Sequence, residues 1–392
     1  MTDFTDDRLR ARESVISGSR WYWPEFLFWI AAASLFFLVP TKLTLLSEIF
    51  ILGLMALSID LVLGFAGIVT LGQAAFFGLG AYSAALMAKH GYGAFLFGII
   101  PVNDPLLGLV VAAIVAGIVG FATSFLVLRG SDLTRLMVTL GVGLIIEELA
   151  NKMKSVTGGS DGLQGVMPAP VLGKWDFDLY GQVAFCYTLA VLFVMFMLVR
   201  RLVHSPFGLS LKAIKQNPLR ARTIGMPVNA RLVAVYTIAA MIAGVAGGLL
   251  SQTTQFGSLD MVAFHRSADA LLILIFGGAG YLYGGLVGAV AFRVMQDFLG
   301  NITPQYWQFW LGVILLILVL FVRGGILGLL RNGREFLSHP GAAKAGAGAV
   351  LRALIERRSP LALIFFKGAA KKVISDKRSE RDGESGKGAG GV

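Results

Sequence analysis

Apolar runs of about 17–25 residues recur along most of this chain, each long enough for a helix to cross a hydrocarbon core about 30 Å thick. That recurrence bounds the fold more tightly than any motif. Its length of 392 residues would otherwise suit roughly two or three soluble domains. Only 15% of residues are charged and 56% are hydrophobic, whereas a soluble chain carries about 25% charged residues. The expected fold class is therefore all-α: a polytopic transmembrane helical bundle of roughly 8–10 spans, some of them broken or re-entrant.

The formal charge of +11 could suggest nucleic acid, but its distribution argues against that partner. From Arg200 to Arg231 there are seven Lys/Arg and no acid, and from Arg323 to Val392 there are 14 Lys/Arg against six Asp/Glu. Basic loops stay on the cytoplasmic side, so both blocks are expected inside. Residues 1–20 mix four acids with four arginines and show no secretory signal. Cys186, the one cysteine, has no disulfide partner and is expected as a small buried hydrophobe.

The expected spans are 24–40, 43–64, 70–89, 105–128, 132–152, 182–199, 232–252, 267–280, 284–300 and 306–322, with Trp21, Tyr22 and Trp23 as an interfacial anchor. Parity refines them. An even number of crossings must separate two cytoplasmic blocks, which requires a break within 267–300, at Gly277-Gly278-Ala279-Gly280 and Gly284-Gly285. Both termini are then cytoplasmic, and residues 155–181 lie outside. The expected organisation is a cytoplasmic segment 1–23, a membrane domain 24–330 containing a cytoplasmic loop 205–227, and a basic tail 331–392. Within that tail, Val350–Phe366 can form a surface-lying amphipathic helix and Gly383–Val392 reads as disordered.

Two stretches depart from plain apolar helix. One runs from Gly64 through Gly67, Thr70, Gly72 and Gln73 to Gly78 and Gly80, and the other spans Phe276 to Gly288. Glycine at four-residue spacing lets helices approach closely in lipid. Interrupted helices in both halves also mark pathways in many transporters. Candidate pathway residues are Asp60, Gly67, Thr70, Gly72, Gln73, Glu147, Gly277, Gly278 and Gly280. Ionisable groups inside spans are costly and usually pair or face a cavity, and Asp60 and the Glu147/Glu148 pair are the deeper ones. Glu48 and Asp297, near span ends, suit the lipid interface.

The loop Ser205–Pro227 carries ordered punctuation. Pro206 and Pro218 can each start a helical turn, and Gly225 followed by Pro227 can stop one. One or two short helices lying across the inner face are expected, with apolar Leu209, Leu211, Ile214, Leu219 and Ile224 between basic residues. Binding of anionic lipid headgroups would account for the charge, but not for the ordered punctuation.

At this point the chain resembles the permeases of branched-chain amino acid ABC importers, of the LivM type. The resemblance rests on Ala56-Leu57-Ser58-Ile59-Asp60-Leu61-Val62-Leu63-Gly64-Phe65-Ala66-Gly67 and on Leu71-Gly72-Gln73 through Ala81-Tyr82. It continues through Leu128-Arg129-Gly130, Val138-Thr139-Leu140, Thr157–Leu163, the Ser205–Gly225 loop, Gly277–Gly280 and Arg323–Leu330, over roughly residues 43–330. It implies a subunit that is not itself an enzyme and needs no cofactor. Its implied partners are a second permease subunit, cytoplasmic ABC ATPase subunits and a periplasmic solute-binding protein, in the bacterial inner membrane with its lipid. The Ser205–Gly225 loop would be the coupling helix seated on the ATPase, with Gly208, Lys212, Lys215, Arg220, Arg222 and Gly225 as coupling residues. One departure matters: the general Glu-Ala-Ala stretch is replaced by Leu219-Arg220-Ala221-Arg222, so no carboxylate contact carries over.

Other functions lack residues. Gly386-Lys387 is followed by Gly388, with no hydroxyl for a nucleotide-bound magnesium. His90, His204, His265 and His339 are scattered, so no metal site is expected. A stand-alone secondary transporter or channel using Asp60 or Glu147 is the competing function, and it leaves the long cytoplasmic loop without a task.

Overall fold

The computed structural model describes residues 23–90, 104–130, 132–171, 173–177, 181–302, 304–321 and 324–328, all within the first of the two units into which the chain divides, Met1–Leu329. Most of the N-terminal segment, the anchor residues Trp21 and Tyr22, and the tail 331–392 lie outside the described residues.

The apolar runs form helices because lipid offers backbone groups no partner, so each segment must satisfy its own. These are α1 (Trp23–Leu38), α2 (Leu43–Ile59), α3 (Gln73–His90), α4 (Pro105–Val127), α5 (Asp132–Lys152), α6 (Gln182–His204), α7 (Pro206–Gln216), α8 (Pro218–Thr223), α9 (Val228–Thr254), α10 (Phe264–Gly277), α11 (Gly284–Ile302) and α12 (Trp307–Phe321). Ten of these, all but α7 and α8, fall on the ten expected stretches. Among the described residues, four segments are long and apolar enough to cross a membrane: Leu43–Phe65, Pro105–Val127, Gln182–His204 and Val228–Thr254. α10, with 14 residues, is only about 21 Å long and too short to span alone. The break expected at Gly277–Gly285 is present, since α10 ends at Gly277 and α11 begins at Gly284.

Long helix α9 forms the centre, packed on α2, α3 and α4. Close approach is possible because the contact face is built of small residues: Ala239, Ala240, Ala243 and Ala246 are buried there. Gly247 lies so close to the Phe77 carbonyl that a side chain would overlap it. Small faces of this kind replace the hydrophobic effect as the packing force in lipid. Beside α9, α2 also carries α6 and the α10–α11 pair, and α12 packs on α11.

Contacts sort to the two ends of the bundle. At one end Gly181 meets Thr44, Gln252 Nε2 donates to the Pro105 carbonyl at 2.9 Å, and Leu163 bridges to Gly257. At the other end lie α7, α8, the last turn of α2 and the α10–α11 break.

Two expectations are corrected. Cys186 is exposed, not buried, because α6 turns that face outward into an apolar groove of about 840 Å³ lined also by Val110, Ile114 and Val194. Glu48 and Asp297, near helix ends, are not among these: they are ion-paired, to Arg293 at 2.5 Å and to Lys42 at 3.5 Å, so α2 and α11 are tied by charge. The Glu147/Glu148 pair is not deep: it sits in the last turns of α5, where exposed Glu148 pairs with Lys152 at 3.6 Å.

Candidate functional site

After Ile59 the α2 helix widens into a π-turn, Asp60–Phe65. Such turns are rare and often mark functional positions. Asp60 opens it, fully buried, and its carboxylate lies over Gly64, where any side chain would collide with it. One carboxylate oxygen accepts the backbone N–H of Gly280 at 2.6 Å. Gly280 has φ +89° and lies in the segment between α10 and α11. The two glycine-rich breaks, far apart in sequence, therefore meet at Asp60.

The loop 205–227 reaches the same point. Ser205 and Asn217 cap α7 and α8, accepting from the N–H groups of Gly208 and Arg220, and Pro206 and Pro218 occupy the first turns. Both prolines thus start helices as expected, and Gly225, at φ +84°, follows the second. Gly208 is buried against the Val203 carbonyl, which seats α7 against the end of α6. Lys215, in the last turn of α7, donates from Nζ to the Gly64 carbonyl at 2.5 Å. A cation at the open carbonyl end of a helix is favoured by the helix dipole. Lys212 Nζ stands 5.6 Å from the centroid of Phe65, and Gly67, at φ +75°, packs on the Lys215 stem. Arg220 and Arg222 are exposed on α8, beside Leu219 and Ile224, which are 72% and 71% exposed.

From this junction the segment 66–72 runs back into the bundle without helical structure. Gly72 packs on the Thr139 carbonyl midway along α5, and Ala74 N–H donates to Ser267 Oγ at 2.7 Å. Ser267 precedes the end of α10 by ten residues, or about 15 Å of helix. Helix α3 therefore starts well inside the bundle. Irregular backbone at such depth is tolerated only where protein or a cavity surrounds it. Thr70 is buried and accepts the Gly72 N–H at 3.3 Å. Gln73, the first residue of α3, is buried with neither amide atom hydrogen-bonded.

Thus Asp60, Gly67, Lys212, Lys215 and Gly280 are brought together, with Gly277 and Gly278 adjoining. Gly278 packs against the turn at Gly324, part of the Arg323–Leu330 motif. Thr70, Gly72 and Gln73 form a second group at the start of α3. Glu147 joins neither. Sequence reasoning missed the buried pair of Arg200 with Glu25, because each residue reads as an ordinary charge flanking a span. Among the described residues no group of three or more His, Cys, Asp or Glu could hold a metal ion.

Comparison with known proteins identifies the family. The profile of the family described as "Branched-chain amino acid transport system / permease component" matches residues 42–321. The high-affinity branched-chain amino acid transport system permease protein LivM of Salmonella typhimurium is 30% identical over 301 residues, covering 71% of this chain and 68% of that protein. LivM of Escherichia coli is 27% identical over 300 residues, with the same coverage. A probable LivH permease of Methanocaldococcus jannaschii is 27% identical over 255 residues, covering 63% of this chain and 76% of that one. No solved structure matches. The chain is a multi-pass membrane protein that belongs to the branched-chain amino acid transport permease family.

Proposed function

We propose that this chain is a membrane-spanning permease subunit of an ABC importer that carries branched-chain or other small amino acids across the bacterial inner membrane. Energy comes from ATPase subunits on separate chains, solute from a periplasmic binding protein, and the second half of the pathway from another permease subunit. Both termini are cytoplasmic, and residues 205–227 form the coupling loop of the membrane domain 24–330.

One observation carries this reading: Lys215 of the capped helix pair α7–α8 is hydrogen-bonded to the last turn of α2, at the meeting point of the two breaks. A loop that only gripped lipid headgroups would have no need of that contact. The outward side of the pair, with exposed Leu219 and Ile224 beside Arg220 and Arg222, suits a protein groove with acidic walls. The solute path follows the start of α3, where Thr70, Gly72 and the unbonded amide of Gln73 converge.

The test is Arg220→Glu with Arg222→Glu. The double variant is expected in the membrane at wild-type level, without ATPase subunits on co-purification and with uptake lost. Undiminished uptake would refute docking through α8.

A further inference from the structure

Asp60 has one oxygen engaged and one orphaned. Its Oδ1 accepts the Gly280 N–H at 2.6 Å, while Oδ2 is buried with no hydrogen-bond partner. A buried carboxylate oxygen left unpaired is expensive, and such groups in native proteins call for an explanation. Lys215 reaches this junction from the last turn of α7. Yet Lys215 does not pair with Asp60 here: its ammonium sits on the Gly64 carbonyl at 2.5 Å. The Asp60 carboxyl group, through Oδ1 and Cγ, lies over Gly64, the residue whose carbonyl seats the ammonium, so seat and carboxyl group meet at one residue. The lysine stem is flexible, and its ammonium carries three rotatable donors.

We infer that Lys215 is a two-seat latch, held on the Gly64 carbonyl in this conformation and on the free oxygen of Asp60 in the other state of the transport cycle. This rests on the reading of α7–α8 as the coupling element. The hydrogen-bond accounting of the two states differs in a telling way. Here the Gly64 carbonyl and the Gly280 N–H are both satisfied and only Asp60 Oδ2 is not, which suits a sealed inner end. When α7 moves, the ammonium passes to Asp60 and draws the carboxylate off Gly280. The Gly64 carbonyl and Gly280 N–H then need other partners, which water supplies only if the inner end has opened. One displacement of α7 thereby releases the breaks in both halves together. Asp60 and Lys215 are positioning residues, since neither needs to touch the solute.

The test uses the assembly recovered with its ATPase subunits, reconstituted in proteoliposomes, and reads the ratio of solute transported to ATP hydrolysed. Lys215→Met and the isosteric Asp60→Asn are each expected to lower that ratio about tenfold or more, within the usual range of coupling energies. Lys215→Arg, which keeps the charge and much of the reach, restores most of it. The double variant D60N/K215M is expected to be no worse than either single, because both remove the same seat. A wild-type ratio in either K215M or D60N, or losses that multiply in the double variant, would overturn the latch. If the wild-type assembly itself recruits no ATPase and hydrolyses no ATP, the importer reading fails and the latch falls with it.

Discussion

Asp60 and Gly280, 220 residues apart, share a partly buried hydrogen bond of 2.6 Å that joins the broken helix of the first half to the break between α10 and α11. The bond needs three things at once. The π-turn swings the carboxylate sideways, the absence of a side chain at Gly64 leaves it room, and the end of α10 at Gly277 leaves the Gly280 N–H outside any helical ladder.

Gly64→Ala tests that geometry. Its methyl would stand 2.6 Å from the Gly280 nitrogen and would collide with the Asp60 carboxylate, so the junction must open. Overpacking of this kind costs about 1–3 kcal/mol. The expected result is a lower melting temperature in detergent and lost uptake with the chain still inserted. Wild-type uptake by this variant would show that the contact is dispensable.

Gln73 separates a structural role from a transport role. Its amide is buried without hydrogen bonds, and replacing an unsatisfied polar group by an apolar one of similar shape is neutral or stabilising. Gln73→Leu is therefore expected to melt no lower than wild type while uptake falls about tenfold or more, as for loss of a solute contact. Destabilisation with unchanged uptake would place Gln73 outside the pathway.

Arg200 and Glu25 pin α1 to α6, with Arg200 only 6% exposed. Removing one partner of a buried pair costs about 3–5 kcal/mol, whereas removing both costs far less. Arg200→Met should lower the unfolding temperature sharply, and adding Glu25→Gln should recover part of the loss. Additive losses in the double variant would contradict the pairing.

Asp260 gives a pH signature at the other end of the bundle. Burial pushes its carboxyl up, but Arg266, hydrogen-bonded to it, and His265 outweigh this and hold it below the ordinary carboxylate range. Its contribution is therefore complete above the unfolded value of about 3.9 and is lost as pH falls through the lower folded value. Wild type and Asp260→Asn should differ in melting temperature at neutral pH and converge in acid. A gap that persists below about pH 2 would contradict this assignment.

Much of this was legible in the sequence. Helix positions followed from apolar run lengths, and the Gly277–Gly285 break from parity of basic loops, because membrane solvation imposes both. Pro206 and Pro218 announced α7 and α8 as helix starters, whereas the Ser205 and Asn217 caps emerged only in the structure. What could not be read was pairing across the chain. Nothing local distinguishes Lys215, bonded to Gly64, from Lys212, or the depth of Asp60 from that of Glu147. The outward face of Cys186 escaped for a related reason: lipid-facing and core-facing positions are equally apolar, so hydropathy cannot tell them apart.

The most direct measurement is ATP-dependent uptake of a labelled branched-chain amino acid by proteoliposomes containing the assembly purified through this chain in mild detergent. The account predicts that a second permease and ATPase subunits co-purify, and that solute accumulates only with ATP and a binding protein present. Recovery of this chain alone, intact and moving solute without ATP, would contradict it and point to a stand-alone transporter.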